Sequence, residues 1–234
     1  MSDSLAIIGA GAGALPIIEK AKEMGVTTVA FARNDSLAKD KVDVFIEENS
    51  FDIDFIADSC KSCGVGGVMA SSELSTEVAA QVAHKLGLLG NDVEQGFAGK
   101  NKYLMRKRVA QLKSVKQPMF QLFDEGQTYT FPVVVKAVDS CGKRGVCLAY
   151  DEEGLQQAVR EAKNYSSDGN VLIEEYLNGG KEYSVECLSN GKGRHYVIQY
   201  TEKESAGPPH FVEVAHHQPA NLSDAMKERV NKAT

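Results

Sequence analysis

Phe131-Pro-Val-Val-Val-Lys-Ala-Val-Asp-Ser-Cys-Gly-Lys-Arg-Gly-Val146 decides how this chain is read. Val133, Val134 and Val135 predict a short buried strand, because β-branched side chains pack well on a pleated sheet. Lys136 ends the strand, and an ammonium closing an apolar run has to point at something polar. After it, Gly142 and Gly145 bracket Lys143 and Arg144. The backbone there can approach an anion closely while two cations neutralise it. Such a loop suits a polyphosphate. An ordinary hairpin loop with surface cations presents the same residues.

Two further blocks bear on the choice. Val171-Leu-Ile-Glu-Glu-Tyr-Leu177 reads as an apolar strand running into a turn at Asn178-Gly179-Gly180, with Lys181-Glu182-Tyr183 following. Upstream, Gly99-Lys-Asn-Lys-Tyr-Leu-Met-Arg106 reads as a basic helix start. In this order and at this spacing, the three blocks resemble the ATP-grasp superfamily, chiefly its carboxylate–amine ligases and the large chain of carbamoyl-phosphate synthase. Biotin carboxylase is a more distant likeness. The resemblance runs over nearly the whole chain.

The resemblance implies a nucleotide site. Lys102 and Lys136 would reach the α- and β-phosphates of ATP from opposite sides, as point charges on flexible stems. The loop from Ser140 through Gly142 and Arg144 to Gly145 would close over the phosphates. The backbone at Glu175 and Leu177 would read the adenine edge, with Tyr176 between them, and Glu174 would face the site. Glu182 would accept the ribose hydroxyls. Plainer readings stand beside these. Lys102 lies in a surface run with Lys100, Arg106, Lys107 and Arg108, and Glu174 and Glu175 also fit an exposed strand end. Glu213, His216 and His217 either approach a substrate or line a sheet.

The same resemblance implies magnesium bridging the phosphates, held by hard carboxylate oxygens. The family takes these from late strands, as one acid and then an E-x-N pair. The only E-x-N here, Glu47 to Asn49, comes far too early, so the ligands are expected beyond Thr234 and none is assigned within the chain. The expectation is therefore the front part of a ligase that converts a carboxylate to an acyl phosphate for attack by an amine. Residues 1–234 alone would be inactive or nearly so, and would self-associate or need a C-terminal partner chain. A non-catalytic nucleotide-binding module is the alternative.

The chain has 234 residues, 43% of them hydrophobic, enough for a real core. A net charge of −6 gives no reason to expect a nucleic-acid or membrane surface. The polar start Met-Ser-Asp-Ser is no signal peptide, and no apolar run approaches the roughly 20 residues that span a bilayer. The expectation is a soluble, cytoplasmic protein. Its 5 cysteines make no disulfide framework in a chain this long. Cys60-Lys-Ser-Cys63 has the spacing of half a zinc or redox site but lacks a second pair, and Cys141 sits inside the proposed phosphate loop.

Residues 1–95 alternate strands and helices, which predicts a Rossmann-like parallel-sheet domain. Residues 96–234 read as a partial ATP-grasp α+β domain with an antiparallel lobe, so the fold class is α/β. Gly9, Gly11 and Ala14 fit G-x-G-x-x-G/A after the first strand. With Arg33 closing the second strand, where it could accept a 2′-phosphate, this opens a rival reading: an NADP-dependent oxidoreductase. No hydride-transfer site follows the loop, and the glycines also serve tight strand-to-helix packing. Glu73, at the C-terminal end of a strand, lies where open α/β sheets bind ligands, and either holds substrate or starts a solvated helix.

Overall fold

The computed structural model describes residues 4–93 and 99–233. The expected boundary between residues 95 and 96 lies outside the described residues; the chain divides into two compact units, Met1–Gly99 and Lys100–Thr234.

In the first unit, β1 (Ser4–Ile8), β2 (Thr27–Ala32), β3 (Val44–Glu47) and β4 (Gly67–Ala70) form a parallel sheet in the order β3-β2-β1-β4. Helices α1 (Leu15–Glu23), α2 (Ile53–Ser62) and α3 (Thr76–Lys85) supply apolar faces to it. Both faces are buried, which is why β1 reads as an unbroken apolar run. Ala6 and Ile8 pack with Phe31, Ile56 and Val82 on one face, while Ile7 packs with Ala14, Ile18 and Ala30 on the other. Each large side chain fully buried this way contributes about 1.5–3 kcal/mol.

Cys60 belongs to this core. Burial pushes its thiol up to about 11, and neighbouring Cys63 adds to the shift. A neutral, buried thiol is packing material. Among the described residues no three His, Cys, Asp or Glu gather to hold a metal ion.

The glycine loop after β1 is fixed by a close approach. Gly9 has φ +94°, and a Cβ there would lie 2.5 Å from Ser71 Oγ. A Cβ on Gly13 would lie 2.7 Å from the Ser71 backbone oxygen. The loop is thus bare so that the chain leaving β4 can press against it. Gly11, the residue that a dinucleotide fingerprint keeps small for a pyrophosphate, has open space around it.

The second unit holds two antiparallel sheets. In the first, β5 (Phe120–Leu122), β6 (Val133–Ala137), β7 (Val146–Ala149) and β8 (Val171–Glu175) lie in the order β5-β8-β6-β7. Helix α5 (Glu152–Lys163), capped by the Asp151 carboxylate on Gly154 N, buries Leu155, Ala158, Val159 and Ala162 against Val133, Val135, Val171 and Ile173. Val134, Val146 and Leu148 face the other way, with Tyr176 and Phe211 packed on them. The second sheet joins β9 (Glu182–Ser189), β10 (His195–Ser205) and β11 (Glu213–His217) in the order β11-β10-β9. Helices α4 (Lys102–Val109) and α6 (Asp224–Ala233) complete the unit.

Two strand limits depart from the apolar runs His195 to Thr201 and Phe211 to Ala215, which the pattern alone reads as strands. β10 runs on to Ser205, since Glu202 to Ser205 still pair with β11. β11 begins at Glu213, because Phe211 turns through φ 55° to pack against Tyr176, their ring centres 5.8 Å apart.

The glycine loop makes a direct test. Gly9→Ala should cost about 1–3 kcal/mol, from the left-handed backbone and the Ser71 contact together, whereas Gly11→Ala should stay within about 0.5 kcal/mol. Denaturant unfolding measures both; equal losses would mean that Ser71 does not set the loop.

Candidate nucleotide-binding site

Period-two alternation sets the centre of the site. Val133, Val135 and Ala137 point into the α5 core, so Val134 and Lys136 point to the opposite face. On β8, Val171 and Ile173 take the core side and Glu174 the other. The register pairs Val134 with Glu174 and Lys136 with Leu172, leaving Lys136 and Glu174 as diagonal neighbours. Their side chains meet: Lys136 Nζ donates to Glu174 Oε2. Arg106 Nε, from α4, donates to Glu174 Oε1 at 2.5 Å. Burial, which leaves Glu174 only 3% exposed, opposes its ionisation, but Lys136 and Arg106 more than offset this and hold the carboxyl below its usual range.

Glu174 is therefore no exposed strand end, the plainer reading of its position. Glu175 is exposed, and its amide donates to Met119 O at 2.8 Å while its carboxylate accepts from Met119 N at 3.0 Å. Arg106 escaped the sequence reading because it sits among other cations. The available signal was its spacing, one helical turn after Lys102 and on the same face.

Lys102 and the glycine loop come together. Asn101 caps α4 through Leu104 N, and Lys102 N donates to Val138 O at 2.7 Å, which pins the helix start to the end of β6. Lys102 Nζ then reaches Ser140 O at 2.5 Å. Within the loop Gly142, Lys143 and Gly145 all have positive φ, between 60° and 68°. Gly145 also has no room for a side chain: a Cβ would lie 3.0 Å from Ala137 Cβ and 3.3 Å from Ala162 Cα. Arg144 curls back, donating from Nε to Cys141 O and approaching Cys141 Sγ, each at 3.2 Å.

Glu182 lies in a second charged group. Lys143 Nζ sits 3.2 Å from Glu213 and 3.9 Å from Glu182; Lys203 Nζ sits 3.1 Å and 3.9 Å from the same carboxylates. Lys203 is held between them by register, opposite Glu182 on one side and His216 on the other. His216 Nε2 donates to Glu213 Oε2 at 2.8 Å. That bond, working against burial and joined by those of Lys203 and Lys143, holds the Glu213 carboxyl down to about 2. Glu213 and His216 thus join the group around Glu182, whereas His217 pairs outside it with Glu204. Sequence reasoning gave Lys143 only as an anion-neutralising cation of the glycine loop and missed Lys203, which shows only as a cation on a late strand. Tyr176 packs on Phe211, and Leu177 is exposed.

In the first unit, Glu73 is exposed in the turn after β4, and its backbone oxygen caps Thr76. Arg33 pairs with Asp35 at 2.8 Å on the surface. A cleft of about 590 Å³ near Phe123, Lys163 and Asn170 lies at the start of β8.

A sheet-borne lysine, a loop of left-handed residues and a helix feeding cations to both define a class of nucleotide-binding α/β proteins, and comparison with known proteins agrees. Residues 100–234 match the family model described as the carbamoyl-phosphate synthase L chain, ATP binding domain. The chain belongs to that family, and so to the ATP-grasp superfamily, whose domain binds ATP. It is 31% identical over 104 residues to the C-terminal section of the carbamoyl phosphate synthase large chain of Aquifex aeolicus, covering 44% of this chain and 19% of that one. To the N-terminal section from Methanopyrus kandleri it is 40% identical over 68 residues, covering 29% and 12%.

Among solved structures, L-amino acid ligase from Bacillus licheniformis superposes with a TM-score of 0.81 at 23% identity, over 98% of this chain and 58% of that one. The N5-carboxyaminoimidazole synthetase of Staphylococcus aureus complexed with ADP gives 0.80 at 17%, over 98% and 62%. These likenesses show the fold. The chain spans less than a fifth of either curated relative and about three fifths of either structure. The matches give the oxidoreductase reading no support. No helix of the described residues is long and apolar enough to cross a membrane.

The Glu213 group carries a pH signature. Its carboxyl is more acidic folded than unfolded, so its pairing adds stability that is complete above about pH 4.5 and fades as pH falls toward about 2. The difference in unfolding free energy between the natural protein and Glu213→Gln should hold steady above pH 4.5 and narrow below it. A gap unchanged down to pH 3 would contradict the assignment.

Proposed function

We propose that Lys102 and Lys136 bind the α- and β-phosphates of ATP, with the loop Ser140 to Gly145 closed over them through Gly142 and Arg144. The backbone at Glu175 and Leu177 takes the adenine edge beside Tyr176, and Glu182 takes the ribose. The observation that carries this reading is the position of the two lysines: Lys102 reaches Ser140 O in the loop, and Lys136 stands one residue before the end of the strand that leads into it. ATP brings several negative charges into one place, and fixed cations in a partly desolvated site neutralise them without reorganising.

The reaction that follows from the family is a ligase step. The γ-phosphoryl group passes from ATP to a carboxylate oxygen, giving ADP and an acyl phosphate; an amine then attacks the acyl carbon and phosphate leaves. Lysines on the phosphates orient the chain and stabilise the charge that develops on the leaving ADP. Magnesium accompanies ATP in this chemistry. The described residues bring no three metal-binding side chains together, so they do not by themselves fit a magnesium site. Glu73 is the residue of the first unit proposed to hold substrate.

Lys136→Gln tests the site. It should weaken ADP binding by about 1.5–3 kcal/mol, the range for a charge-assisted bond. It should also lower unfolding stability, because Glu174 then keeps only Arg106 as a cationic partner. Calorimetric titration with ADP, run beside thermal unfolding, separates the two effects; unchanged affinity in a folded variant would remove Lys136 from the site. For the ligase step, in an enzyme that also carries the magnesium ligands, an oxygen-labelled carboxylate should pass its label to the phosphate released. Release of unlabelled phosphate would argue for simple ATP hydrolysis.

A further inference from the structure

We infer that Arg106 is a positioning residue for the nucleotide, acting on the phosphates only through Glu174 and Lys136. This rests on the reading of Lys136 as a phosphate ligand. The geometry is a shared carboxylate: Arg106 Nε holds Glu174 Oε1, and Lys136 Nζ holds Oε2. Glu174 is 3% exposed, so water does not screen either contact. Arg106 is itself held in place, since Gln117 Nε2 donates to its backbone oxygen at 3.1 Å. It stands on α4 one turn after Lys102, so one short helix serves both lysines.

Charge counting gives the role. One buried carboxylate facing one ammonium makes a neutral pair, and the ammonium is spent on it. With Arg106 on the second oxygen, the three groups carry a net single positive charge. Lys136 shares its partner, and two of its three N–H donors remain for a phosphate. Arg suits this duty better than Lys, because its charge is permanent and its planar fork fixes the direction of the Nε–H. Without it, Lys136 draws down onto Glu174 and offers the phosphates less.

Calorimetric titrations with ADP and with adenosine test this. Arg106→Gln should weaken ADP by about tenfold while leaving adenosine unchanged, because the lost interaction lies on the phosphates. Arg106→Lys should fall between, at about threefold, as a charge is kept but its direction is not. The double variant Arg106→Gln/Lys136→Gln should bind ADP no more weakly than Lys136→Gln alone, since Arg106 acts through Lys136. Equal losses for ADP and adenosine, or additive losses in the double variant, would overturn the inference in favour of a merely structural arginine. If Arg106→Gln does not fold, Arg106→Lys carries the same comparison of ADP with adenosine. Failure of the underlying reading looks different: Lys136→Gln would then bind ADP like the natural protein. A loss in Lys136→Gln with none in Arg106→Gln would sink the inference alone.

Discussion

Glu174 puts a carboxylate where water does not reach it, and the second unit is arranged so that two cations do. An unpaired charge at that depth would cost several kcal/mol, and the cheapest escape would be to neutralise it by protonation. Its partners come from different elements. Lys136 arrives through the β6–β8 register and Arg106 through α4, whose start is fastened to Val138 at the end of β6. One electrostatic demand thus fixes where the helix sits on the sheet. It also leaves an excess of positive charge on the face opposite the α5 core, where the nucleotide is proposed to bind.

The second charged group answers to a different balance. Lys143, Lys203, Glu182, Glu213 and His216 meet where side chains are a fifth to a half exposed. Pairs this accessible are each worth about 0–1 kcal/mol, because water competes and long side chains lose freedom. Through Lys143 they tie the glycine loop to the second sheet, but weakly. The loop's own anchor is Gly145, wedged between Ala137 and Ala162 at the foot of the loop, while Gly142 at its tip has open space. A foot that is fixed and a tip that is loosely tethered suit the role proposed for this loop, admitting a polyphosphate and then covering it.

In the first unit the constraint is steric. The loop after β1 resembles a dinucleotide fingerprint because both jobs need absent side chains. Here the space at Gly9 and Gly13 is filled by Ser71 from the chain leaving β4. The same composition therefore serves packing, and only the neighbour's identity tells the two uses apart. Cys60 and Cys63 make a parallel case. Their spacing allows a ligand pair, but the helix turns Cys60 into the core, where burial keeps the thiol protonated.

The sequence by itself determined the local matters. Period-two and period-3.6 patterning placed the strands and helices, with β11 starting late because Phe211 prefers Tyr176 to the sheet. An apolar strand ending in lysine, a glycine-bracketed basic loop and a later acidic strand end mark the candidate site, since these are properties of neighbours along the chain. Tertiary structure decided which charges meet. Arg106 and Lys203 look like ordinary cations in the sequence, and Glu174 looks like an exposed strand end. Sheet register and helix placement bring residues 68 and 38 positions apart onto one buried carboxylate. Electrostatic pairing depends on distance in space and on how much water lies between, and neither is written in the order of residues.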